Sequence, residues 1–362
     1  MIMIPGMYSI STDRRIAQIV LLTALAWAVI AIFFMALGFD ALYDTDSKAY
    51  LAASERLDAY PPLELPAYPV AVALFRALLE NMSPKTYMQG ISLVAYVLSV
   101  IGVYLIFGHY NAKLAFPGAL LFALFPLEGV TLSVFPRVNS LMYFTVVWAL
   151  LLYVKGYNWA AVVAMALSLL THKSVWPLVL IVSLSGVYDK RLKWWFLVLI
   201  SIPLAIYWGA GALYHDDLAW LLDTSVAVKF ETRSESINIP VFAGLASTFK
   251  SGLGGDLADL LKAIIVAANF VLAAFLLYSR IWADRKWLLG IILPVLLWPI
   301  ILNQGELWSS VSYTHLVVLP LVFWLERSKL AWVRSEKIWF AILGMLTVSQ
   351  FVWAIYVVHY FS

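Results

Sequence analysis

Eleven apolar runs, parted by polar stretches that are mostly short, limit what this chain can become more than anything else in it. They cover residues 17–39, 88–107, 114–125, 138–154, 159–170, 174–187, 195–213, 263–278, 287–301, 315–325 and 338–358. A hydrocarbon core of about 30 Å takes about 20 apolar residues in a helix. The expected fold is therefore all-α: a polytopic membrane protein with about eleven transmembrane helices, within a range of 10 to 12. Several runs are short, which predicts tilted or partial helices around a cavity, because irregular backbone at membrane depth persists only where protein or water satisfies it.

Composition agrees. Hydrophobic residues make up 63% and charged residues 12%, where soluble domains carry about 25% charged. A net charge of +3, with no basic stripe interleaved with aromatics, argues against a nucleic-acid partner. The absence of cysteine excludes disulfides, thiolate metal sites and a cysteine nucleophile. Arg14 and Arg15 precede a run longer than a signal h-region and lack a small-x-small cleavage site; the first run reads as a retained helix. No internal repeat or soluble module is visible, and residues 1–362 read as one membrane domain.

Charge sets the expected orientation, since cytoplasmic loops carry the excess of Lys and Arg. The stretch 66–79 either crosses or lies as a re-entrant or interfacial helix. Taken as non-crossing, it leaves fourteen basic and five acidic residues inside, a net +9, and ten basic and sixteen acidic residues outside, a net −6. Five polar stretches then face outward: the acidic first loop (40–87), 126–139, Thr171-His172-Lys173, the long loop 214–262, and 303–314. Residues 216–228 are amphipathic enough to lie on the membrane surface, and Gly252, Gly254 and Gly255 are candidate hinges at the exit of the long loop.

The first outer loop gathers Asp40, Asp44, Asp46, Glu55, Asp58 and Glu64. Carboxylates beside a membrane boundary are costly to place and point to function. Asp44-x-Asp46-x-x-x-Tyr50 follows the first helix. After it come Tyr60-Pro61-Pro62-Leu63, Tyr68-Pro69, Pro126 with Asn139-Ser140-Leu141, and Thr171-His172-Lys173-Ser174. On these residues the chain resembles the GT-C superfamily of membrane glycosyltransferases, and within it the mannosyltransferase type. Arg137 and the His172-Lys173-Ser174 triplet are also similar to bacterial exopolysaccharide polymerases. The resemblance implies a polyprenyl-phosphate or polyprenyl-diphosphate sugar donor, a glycan or lipid acceptor, an aspartate in the first external loop, and a donor-contacting basic residue late in the chain. His315 is the nearest equivalent of that last residue, with no Arg there.

Physical chemistry supports an aspartate independently. A sugar hydroxyl attacking an anomeric carbon needs a carboxylate in hydrogen-bond reach to take its proton. A lipid phosphate leaves with its own charge and needs cations rather than an acid. One base and one cationic clamp suffice for inversion by single displacement. Asp46, with Asp44 beside it, is the expected base; as a local alternative either acid caps the helix begun by Ser47. Lys173, Arg137 and His172 are the expected phosphate-binding groups, the Arg fork fitting phosphate better than an ammonium does, against simple snorkelling to the interface. Tyr50, Glu306 and Trp308 are candidate substrate contacts. Trp176, Trp220 and Trp308 either stack on sugar rings or belong to the interfacial aromatic belt.

No cofactor is required. Asp44 and Asp46 offer oxygen ligands for Mg or Mn, which a monophosphate donor does not need. No H-E-x-x-H, Walker or G-x-G-x-x-G motif occurs. The expected site faces the periplasmic or extracellular side of a cell inner (plasma) membrane. Two other readings use the same residues differently: a polysaccharide polymerase fed by a polyprenyl-diphosphate oligosaccharide, and a lipid-glycan transporter or flippase. The second usually shows two related halves, and none are seen.

Overall fold

The computed structural model describes residues 12–41, 45–55, 57, 65–79, 82–124, 138–218, 220, 242–301 and 315–328, and among these every regular element is helical. In chain order they are α1 (Thr12–Ala41), α2 (Thr45–Glu55), α3 (Ala67–Leu78), α4 (Pro84–Tyr110), α5 (Ala112–Leu124), α6 (Asn139–Val154), α7 (Asn158–Leu169), α8 (Trp176–Tyr188), α9 (Trp195–His215), α10 (Ala243–Leu253), α11 (Leu257–Tyr278), α12 (Leu289–Ile301) and α13 (Val318–Arg327). Ten of the eleven expected runs are occupied by helix; the run 338–358 lies outside the described residues.

Length separates these helices into two kinds. Four segments, in α1, α4, α9 and α11, are long and apolar enough to cross a membrane. The remaining apolar helices have 10–17 residues, and 12 residues of α-helix reach only about 18 Å. By length and composition the described residues thus support four crossings, where hydropathy alone suggested a crossing for every run. The stretch 66–79 forms the 12-residue helix α3, likewise shorter than a span.

Helix starts follow local chemistry. The Ser83 hydroxyl accepts from the Thr86 backbone N–H at 3.3 Å, and Pro84 occupies the first turn, where its missing N–H costs nothing. α4 therefore begins four residues before its apolar run. Asp256 does the same for α11, accepting from the Asp259 N–H at 3.1 Å.

The chain divides into two compact units. The first comprises Met1–Ala49, Leu74–Ala164 and Leu325–Ser362. Within it α4 is central and packs on α1, α5 and α6. Tyr96, Val103 and Phe107 of α4, Phe122 of α5, and Tyr143 and Val146 of α6 are buried. Polar groups carried into this core find partners on neighbouring helices. The Tyr96 hydroxyl donates to the Ala123 carbonyl at 2.7 Å, and the Trp148 indole donates to the Leu98 carbonyl at 3.0 Å. Asn111, in the one-residue link between α4 and α5, donates to Glu326 at 2.7 Å. In a lipid-like interior such bonds contribute about 0.6 kcal/mol each on average.

The second unit comprises Tyr50–Ala73 and Met165–Trp324, and α12 packs there on α8, α10 and α11. α10 and α11 form a close antiparallel hairpin. Gly252 lies against the backbone of Leu260, and the Phe242 and Phe270 rings meet edge-on at 5.6 Å. Phe242 holds φ +63° and its N–H donates to the Ile300 carbonyl at 3.0 Å, fastening the start of α10 to the end of α12. Only part of 214–262 is therefore loop. The expected glycine hinge is instead a closed turn: the Gly254 N–H donates to Lys250, that of Gly255 to Gly252 and that of Asp256 to Ser251. Lys262 is a buried helical residue paired with Asp259 at 3.0 Å. At the other end of this unit, Lys286 pairs with Asp189 at 2.6 Å and lies over the Tyr188 ring.

Candidate functional site

The sequence Thr171-His172-Lys173-Ser174 forms the turn between α7 and α8, and local bonds fix nearly all of it. The Thr171 hydroxyl donates to the Ser168 carbonyl at 2.6 Å, tightening the end of α7. His172 is extended and caps a short 3-10 turn, Lys173–Val175. Its Nδ1 accepts the Ser174 N–H at 3.2 Å and lies 2.7 Å from the Ser174 hydroxyl, an arrangement that leaves the ring proton on Nε2. Pro177 then starts α8. The Trp176 indole N–H reaches back across the turn to the Leu169 carbonyl at 2.9 Å.

Burial, reinforced by the Lys173 ammonium, lowers the His172 pKa from 6.5 to about 4. The imidazole is neutral at pH 7, so it offers an anion one N–H and no charge; the formal cation of this turn is Lys173. A depressed histidine pKa makes the unfolded chain bind more protons than the folded one between the two values. Stability is therefore full above about pH 6.5 and falls as pH drops through about 4. At 1.36 kcal/mol per unit the loss is at most about 3 kcal/mol, and partial exposure of the ring lowers it. His172→Asn, which keeps a capping acceptor, is expected to flatten this part of the stability-versus-pH curve, measured as the unfolding midpoint in detergent from pH 7 to 4. An unchanged slope would show that His172 is not the titrating group.

The start of α3 docks onto this turn. The N–H of Ala67, at the start of α3, donates to the Leu170 carbonyl at 3.0 Å. Next to it Tyr68 is fully buried and meets Tyr50 of α2 edge-on at 5.1 Å. Two motifs more than a hundred residues apart, Tyr68-Pro69 and Thr171-His172-Lys173, are thereby joined.

An aromatic cluster adjoins them. Leu65 and Trp220 are buried, with Trp176, Tyr207 and Trp208 packed around them. Trp220 has no exposed surface and its ring is stacked on His215 at 4.9 Å; a ring so enclosed has no free face for a sugar. The Trp176 ring is stacked on Trp208 at 6.0 Å. Sequence reasoning missed Trp208 altogether, since nothing local marks it among 16 tryptophans.

The other expected residues are placed less fully. Asp46 lies in the first turn of α2, within the first unit. His315 is buried and opens the short 3-10 turn His315–Val317 ahead of α13. Asp44, Arg137, Glu306 and Trp308 lie outside the described residues. Among the described residues no group of three or more His, Asp or Glu side chains forms a metal site. In comparisons with known proteins, no family model, curated protein or solved structure matches the chain.

Proposed function

We propose that this chain is an integral membrane glycosyltransferase of the GT-C kind, with about eleven crossings. It moves a sugar from a polyprenyl-phosphate-linked donor to an acceptor hydroxyl on the outer side of a plasma membrane. Asp46, with Asp44 beside it, takes the proton of the attacking hydroxyl. Lys173 and Arg137 hold the departing lipid phosphate, and the configuration at the anomeric carbon inverts. His172 contributes an N–H rather than a charge, and His315, Tyr50, Glu306 and Trp308 line the path of donor and acceptor. A divalent cation is not needed when the phosphate keeps only its own charge and two basic side chains face it.

The observation that supports this reading is the hydrogen bond from Ala67 to Leu170, which ties the Tyr68-Pro69 motif at the start of α3 to the lysine-bearing turn. The four long apolar helices are consistent with a lipid-borne donor.

The test is direct. Purified protein is incubated with a panel of radiolabelled polyprenyl-phosphate hexoses and a glycan acceptor, and lipids that copurify are analysed by mass spectrometry. We expect a polyprenyl phosphate among those lipids and transfer of label with inverted configuration. The absence of both a bound polyprenyl lipid and transfer from any donor in the panel would sink the proposal.

A further inference from the structure

We infer that Trp208 is a positioning residue for Lys173, acting through the indole of Trp176; this rests on the reading of Lys173 as a phosphate-holding cation. The chain of contacts is continuous. Lys173 opens the 3-10 turn, and Trp176 follows that turn by one residue. The Trp176 indole spans the turn to the Leu169 carbonyl, so where this ring sits decides how the turn is held. Its face is covered by Trp208, with 26° between the planes.

Trp208 is in turn locked at both its polar ends. Its indole N–H donates to the Leu218 carbonyl at 2.7 Å, and its carbonyl accepts the Trp220 indole N–H at 2.9 Å. Trp220 fills the space beside Gly211, where a Cβ would collide with the indole ring. Tyr207 and His215 pack against the same ring.

Ordinary interfacial tryptophans orient their N–H groups toward headgroups and water. Here all three indole N–H groups are spent on backbone carbonyls: Leu169 at the end of α7, Trp208 within α9 and Leu218 after it. That is the pattern of a brace. Directional bonds together with a stacked pair hold a geometry more tightly than apolar burial alone. The brace connects α9 to the turn that carries Lys173.

The chain has no cysteine, so Lys173→Cys introduces a single thiol at the position in question. Its rate of labelling by a charged methanethiosulfonate is measured in the full detergent-solubilised protein, alone and combined with Trp208→Ala or Trp208→Phe. We expect Trp208→Ala to change the rate at least fivefold. Trp208→Phe, which keeps the stack and loses only the bond to Leu218, should return it to within twofold. If Ala prevents folding, Trp208→Leu replaces it, keeping bulk without a flat face. Equal rates in all of these proteins overturn the inference.

In parallel, with Lys173 present, binding of radiolabelled polyprenyl phosphate should weaken about tenfold in Trp208→Ala and recover in Trp208→Phe. Lys173→Ala should lose it. Unchanged binding in Lys173→Ala, with the labelling difference intact, rejects the phosphate reading while supporting the positional role of Trp208.

Discussion

Replacing Asp46 with asparagine is expected to lower sugar transfer by a factor of about 10² to 10⁴, the range a general base contributes, while the protein stays folded and abundant. Asparagine matches aspartate in size and retains an oxygen acceptor, yet cannot take a proton. Asp46 sits in the first turn of α2, where a negative charge also favours the helix by about 0.3–1 kcal/mol. That small loss separates the two roles. A helix-stabilising acid alone would shift the melting temperature slightly and leave turnover unchanged; loss of a base would cut turnover as well. Asp44→Asn and the double variant complete the comparison, read as initial rates of label transfer beside circular dichroism of the purified proteins. Normal turnover in all three would remove both acids from the mechanism.

The second large effect is structural. Gly252→Ala is expected to destabilise the protein by about 3 kcal/mol, at the upper end of the usual cost of overpacking. A Cβ at this position would stand 2.5 Å from the backbone nitrogen and Cα of Leu260. Backbone cannot turn aside as a flexible side chain does, so α10 would have to lift from α11. The bond from Phe242 to Ile300 lies on the same element and would be strained with it. Gly209→Ala is the control: that glycine is in the middle of α9 with nothing near its missing Cβ, so alanine there should be neutral or stabilise by up to about 1 kcal/mol. Thermal unfolding in detergent decides both; equal midpoints for the two variants would mean the hairpin is not as tightly closed as described.

Helix type was legible almost everywhere, because long apolar runs leave the backbone few alternatives. Helix length was less so. α11 begins at Leu257, six residues ahead of its apolar run, because the Asp256 cap and the Asp259–Lys262 pair extend it through polar sequence. Hydropathy is blind to caps, although Ser83-Pro84 and Asp256 can be recognised as such in the sequence. Conversely, α7 and α8 have the composition of crossings without the length.

For the site, Thr171-His172-Lys173-Ser174 stood out as a polar island between apolar runs, and Tyr50 and Tyr68 lay in motifs already noted. What could not be read was their meeting. The Ala67–Leu170 bond and the Trp176–Trp208 stack join residues far apart in sequence, and no local pattern encodes such pairings. The lowered pKa of His172 was likewise hidden, since it arises from enclosure by the fold and from Lys173 next to it.

The closed hairpin of α10 and α11 has a topographic consequence. Phe242 stands beside Phe270, which is 13 residues along α11 from Leu257, or about 20 Å. In a bilayer traversed by α11, Phe242 therefore lies near mid-plane, and α10 rises from it to the glycine turn. The start of α10, which hydropathy assigns to a loop above the membrane, thus sits well below the waterline.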